Sequence, residues 1–103
     1  MRSRRIYPCV DIDFDPAKNA ANIALRGLDF ADAALMWRQG PVVEIEDDRS
    51  DYGELRVIAI GRMRGRVCVA VYTDRDSIRR IISFRKANRR ETNAYQAWAA
   101  QQE

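Results

Sequence analysis

Histidine is absent from this chain of 103 residues. With it go the side chain that titrates nearest neutral pH and the commonest metal ligand, so neither a histidine general base nor a zinc enzyme is expected. Cysteine is scarce: Cys9 and Cys68 lack the close spacing of a zinc knuckle or a redox motif, and both read as buried or neutral thiols of a reducing compartment. No apolar run approaches the roughly 18 residues that a membrane span needs, which predicts a soluble, cytoplasmic protein with no membrane contact. The basic start, Met1 to Arg5, is followed by no apolar segment, so a secretory signal is not expected. No repeat, low-complexity tract or Pro/Gly/Ser linker interrupts the chain, which predicts a single domain over residues 1–103, with 1–10 flexible.

What is abundant is arginine, at sixteen of the eighteen basic residues. Its planar fork grips phosphate at two points, which a lysine point charge does not do. The formal net charge of +3 hides an asymmetry: residues 1–54 hold 7 basic and 11 acidic side chains, and residues 55–103 hold 11 and 4. The second half is therefore the cationic one.

Local signals then place the elements. Asp15 before Pro16 is a helix start and Gly27 a helix stop, which predicts a helix from Pro16 to about Arg26. Asp29 caps a second helix from Phe30 to about Arg38, with Phe30, Ala33, Ala34 and Trp37 at helical spacing. After Gly40-Pro41 the period changes to two, predicting strands over Val42 to Glu46, Leu55 to Ile60, Arg66 to Thr73 and Ser77 to Phe84. Arg64-Gly65 and Asp74 to Asp76 have hairpin lengths, so these strands should pair antiparallel in sequence order. Asn88 and Glu91 resemble a capping box that opens a C-terminal helix running to about Ala100. The sum is an α+β fold of two N-terminal helices, a four-stranded antiparallel sheet and a C-terminal helix.

Chemistry concentrates from Arg79 to Tyr95, where six basic residues without an acidic one precede Glu91 and Tyr95. Strand parity groups Arg80 with Ile78, Ile82 and Phe84, putting a charge on an apolar face where it needs a partner or a ligand. Arg85, Lys86, Arg89 and Arg90 crowd the start of the last helix. Cations there cost about 0.3–1 kcal/mol each against the helix dipole, which makes sense if phosphate or a partner's carboxylates lie opposite. The bland alternatives are a solvated charged face, a capping role for Glu91 and a half-buried aromatic role for Tyr95. Glu54 and Arg56 read as a surface ion pair worth under about 1 kcal/mol.

With these residues in view, the chain resembles the BrnT family, ribonuclease toxins of bacterial type II toxin-antitoxin pairs with a RelE-like fold. The marks are Phe14-Asp15-Pro16-Ala17-Lys18 with Asn22, the Gly27, Phe30, Ala33 step, Glu54-x-Arg56, Gly61 and Tyr72-Thr73-Asp74-Arg75. They continue through Arg80-Ile81-Ile82-Ser83-Phe84-Arg85-Lys86-Ala87 to Arg90-Glu91 and Tyr95. Two departures stand out: the family's Lys-His-Gly is Leu25-Arg26-Gly27 here, and its Ser-Ala-Arg carries Phe84 in place of alanine.

The resemblance implies an endoribonuclease that works without metal or other cofactor, by attack of the RNA 2'-hydroxyl on its own phosphate. Arg80 and Arg85 would then stabilise the transition state, Glu91 accept a proton, and Lys86 or Tyr95 donate one. Arg26, Glu54, Arg56, Arg75, Arg89 and Arg90 would contact RNA. The expected partner is a BrnA-like, DNA-binding antitoxin, forming a hetero-oligomer and neutralising growth inhibition. Two other classes fit the same residues: a non-catalytic RNA- or antitoxin-binding module, and an interaction subunit whose basic face meets an acidic protein.

Overall fold

A computed structural model describes residues 11–48 and 53–102; residues 1–10, expected to be flexible, and Cys9 lie outside them. Strands β1 (Ile12–Phe14), β2 (Val43–Asp47), β3 (Arg56–Met63), β4 (Arg66–Arg75) and β5 (Ile78–Lys86) form one sheet in the order β1-β5-β4-β3-β2. The helices are α1 (Pro16–Arg26), α2 (Met36–Gln39) and α3 (Arg89–Ala100), with a 3-10 helix at Phe30–Leu35. No helix among the described residues is long and apolar enough to cross a membrane.

This overturns the expected four-stranded antiparallel sheet behind two N-terminal helices. The sheet has five strands and is mixed, because β1 pairs parallel with β5, with Ile12 opposite Arg79 and Phe14 opposite Ile81. Three residues give too little alternation to announce a strand, and the partner lies more than sixty residues away. The second expected helix is also different. Phe30, Ala33 and Met36 recur every three residues and are all buried, so a 3-10 geometry, which stacks i over i+3, lines them up on the sheet before a single turn of α2.

Chain reversals follow local chemistry. Asp15 accepts from the Ala17 and Lys18 amides at the start of α1, and Gly27 closes it at φ 70°. Asn88 and Glu91 exchange both hydrogen bonds of a capping box at α3. Arg64-Gly65 turns β3 into β4, and Asp76-Ser77, both at positive φ, turns β4 into β5.

Each face of the sheet has its own cover. The 3-10 helix and α2 pack with Ala59, Met63, Cys68, Ala70, Tyr72, Ile81 and Phe84 in the main core, and α3 lays Tyr95 and Ala99 on Val67 on the other face. Helix α1 buries none of its residues. Two asparagines hold it instead: Asn19 donates to Asp29 and accepts from the Phe30 amide, and Asn22 donates to the carbonyls of Leu28 and Phe84, each at 3.0 Å.

Gly61 marks a close approach of β3 to α2 and to the chain entering β2. A Cβ there would stand 3.0 Å from Val42 Cγ2 and 3.5 Å from Met36 Cβ. Gly61→Ala is expected to lower stability by about 1–3 kcal/mol, the usual cost of overpacking, read from urea unfolding midpoints. An unchanged midpoint would show slack between α2 and β3.

Candidate functional site

Strand β5 distributes most of the candidate side chains, and a bulge in it decides where they go. Tyr72 faces Ile81 but Val71 faces Ser83, so Ile82 is an extra residue and the parity switches there. Arg79, opposite Asp74, therefore shares the face of Ile81 and Phe84, while Arg80, opposite Thr73, shares the face of Ser83 and Arg85. Simple alternation puts these two arginines the other way round.

At the C-terminal end of β5 the two faces diverge. Arg85, opposite Val69, turns toward α3 and makes a two-point pair with Glu91, both contacts at 2.8 Å, while Arg85 Nη1 also donates to the Lys86 carbonyl at 3.2 Å. The hydrogen bonds from Arg85, aided by the Asn88 amide, hold the Glu91 carboxyl at about 2, against burial that opposes them. Lys86, opposite Cys68, turns toward the other face and lines a pocket of about 320 Å³ with Leu25 and Arg26. A second pocket adjoins it, with Leu25 and Arg26 common to both and Lys18, Asn22 and Ser83 in its walls. Among the described residues Lys18, Arg26, Lys86, Arg89 and Arg90 form no salt bridge.

The Arg85–Glu91 pair sets an acid limit on the fold. The folded carboxyl has a lowered pKa, so the unfolded chain binds more protons as pH falls below about 4.5, and the pair's contribution is complete above that value and lost toward pH 2. The two side chains are 38% and 25% exposed, and after screening the pair is worth about 1 kcal/mol. Glu91→Gln is expected to flatten the fall in urea midpoint between pH 5 and pH 3; an unaltered slope would assign the acid sensitivity elsewhere.

The remaining candidates are placed elsewhere. Tyr95 is 3% exposed and its hydroxyl donates to the Pro41 carbonyl, so it braces α3 against the chain before β2; burial raises its pKa. Arg80 pairs with Asp13 of β1 at 3.4 Å and lies five residues from Arg85, about 16 Å along the strand. One phosphate does not bridge them in these ion-paired positions. Glu54 pairs with Arg75 at 3.1 Å, which lowers its pKa with a smaller contribution from the charge of Arg56, a residue that stands opposite Asp47 in the β2–β3 ladder.

One cluster has no counterpart in the sequence reading. Glu44 Oε2 accepts from Trp37 Nε1 at 2.9 Å, Tyr72 OH at 3.0 Å and Arg79 Nη1 at 3.4 Å. The Arg79 guanidinium lies 4.8 Å from the Trp37 ring centre and 4.7 Å from that of Tyr72. Burial pushes the Tyr72 phenol up. The only available sequence signal was the alternation that puts Glu44 and Tyr72 on one face, and it needs the strand register to be read. Among the described residues no three Asp, Glu or Cys side chains gather as a metal would require.

Comparison with known proteins agrees with the region these contacts occupy. A family model described as the ribonuclease toxin BrnT of a type II toxin-antitoxin system matches residues 14–91. It spans the Lys86 groove and the Arg85–Glu91 pair and ends before Tyr95. No curated protein matches the chain.

Proposed function

The chain belongs to the BrnT family of type II toxin-antitoxin ribonuclease toxins, and from that premise we propose that it cuts RNA internally without a metal ion. The reaction takes place in the cytoplasm and halts growth until a BrnA-like, DNA-binding antitoxin covers the toxin in a hetero-oligomer. The observation that supports this most is the groove between α1 and the end of β5, where Lys18, Arg26 and Lys86 line two adjoining pockets without an acidic partner among the described residues. Unpaired cations facing a groove are what a phosphate backbone fills.

In this reading the 2'-hydroxyl loses its proton to solvent water and attacks the adjacent phosphorus as the P–O5' bond breaks, and Arg26 and Lys86 stabilise the charge that develops on the phosphate oxygens. Lys86 donates a proton to the departing 5'-oxygen. Arginine cannot exchange protons near neutral pH, so Arg26 acts by charge alone where relatives have histidine. Glu91 does not take the 2'-hydroxyl proton: both its oxygens are held by Arg85, and a carboxyl at about 2 is a weak base, so it fixes Arg85 against α3, on the sheet face opposite the groove. Arg89 and Arg90, in the first turn of α3 and without a salt bridge among the described residues, contact flanking phosphates.

Purified chain incubated with a structured RNA in EDTA tests this. Internal cuts leaving 2',3'-cyclic phosphate and 5'-hydroxyl ends are expected, and adding the antitoxin should abolish them. No cutting until a divalent ion is supplied, or 5'-phosphate ends, would overturn the mechanism. The occupied Glu91 and the buried Tyr95 favour a second reading, an RNA- or antitoxin-binding module without turnover; binding of the same RNA with no cuts under any condition would select it.

A further inference from the structure

Trp37, Gly40, Pro41, Val42, Glu44 and Arg79 line a solvent-open pocket of about 620 Å³ on the sheet face that Lys86 also serves. Arg79 and Lys86 lie seven residues apart on β5, about 23 Å, so the pocket is well separated from the groove at the strand end. A structural brace alone would account for Glu44 Oε2, which gathers three donors. It does not account for Glu44 Oε1, which accepts no hydrogen bond among the described residues on a carboxylate 37% exposed, beside an open pocket.

We propose that this pocket is a nucleobase subsite that takes an unpaired guanine of the RNA, stacked against Trp37 and Arg79 and hydrogen-bonded to Glu44. The inference rests on the RNA-cutting reading above and adds to it the base that the protein prefers away from the cut. Single-stranded RNA is read by stacking bases on aromatic rings or arginine planes and by bonding their Watson–Crick edges. Both surfaces are present and already fixed: the guanidinium is packed against two rings, and Trp37 is tied to Glu44 by its own N–H.

The choice of base follows from the acceptor. An ionised carboxylate only accepts. The Watson–Crick edge of guanine presents two adjacent donors, N1–H and the N2 amino group, to such an acceptor. Adenine and cytosine each set an acceptor nitrogen beside their single amino donor, and uracil flanks its single N–H with two carbonyls. Those acceptors face a negative charge, so guanine is the base this pocket favours.

The test uses the full chain and four dye-labelled, uncleavable 2'-O-methyl hexanucleotides, identical except for one central G, A, C or U, read by fluorescence anisotropy. The G oligomer is expected to bind roughly tenfold tighter than the others, the scale of one hydrogen bond to a charged group. Inosine in place of guanine, which removes only the N2 donor, should erase much of that preference in the unaltered protein. Glu44→Gln, which keeps an oxygen for Trp37 and Tyr72, should erase the preference for G, because guanine loses its charged acceptor while the acceptors of the other bases no longer face a negative charge. Equal affinity for all four sequences, or a preference untouched by both inosine and Glu44→Gln, would overturn the subsite. Loss of binding to every oligomer would instead remove the RNA reading on which it rests.

Discussion

Lys86→Met is expected to lower the rate of RNA cleavage by about 10²-fold or more, the scale of removing a positioned proton donor or one preorganised transition-state contact. Methionine keeps the length of the stem and deletes the charge. Lys86 is exposed at the end of β5, so the substitution should leave the unfolding midpoint within about 0.5 kcal/mol of the parent. Arg26→Ala on the opposite wall of the pocket should act in the same direction, and the double variant should cost less than the sum, because both act on one phosphate. Single-turnover cleavage with saturating RNA separates this loss from weakened binding. Full activity in both variants would remove the groove from the chemistry and leave the Arg79–Arg80 end of the strand as the place to look.

The largest expected effect on stability comes from Phe84→Ala. Phe84 is 1% exposed in the main core, and truncating a buried phenylalanine costs about 3–5 kcal/mol through lost burial and the cavity left behind. For a domain of this size that is a large part of the whole. Phe30, Ile81 and Met36 share the ring's core cluster. A urea midpoint corresponding to less than about 1 kcal/mol would mean that these neighbours collapse into the gap. The Phe84 carbonyl that receives Asn22 is untouched by the substitution, so α1 should stay docked and cleavage at low temperature should survive.

Elements decided by interactions within a few residues were legible in advance. Asp15-Pro16 and Gly27 bound α1, Asn88 and Glu91 open α3, and Arg64-Gly65 makes a two-residue hairpin, because each of these signals is a local hydrogen bond or a permitted φ. The period-two segments after Gly40 likewise became β2 to β5, their ends moving by at most three residues.

The candidate site was less legible, for the same physical reason inverted. Sequence by itself determined that the second half is cationic, that the proton carriers available are lysine, carboxylates and tyrosine, and that Arg85 to Arg90 crowd one helix start. Only the tertiary structure decided which of them meet. The unpaired Ile82 reverses the faces of Arg79 and Arg80, a one-residue slip that no composition reveals. Docking of β1 gives Arg80 its partner Asp13 across 67 residues, and the β2–β4 register brings Glu44 to Tyr72 and Arg79. Arg26 meets Lys86 because Asn22 ties α1 to a strand carbonyl 62 positions away, where no neighbour in the chain records the contact. Such pairings depend on strand order and register, which are set by burial summed over the whole sheet and not by the residues that use them.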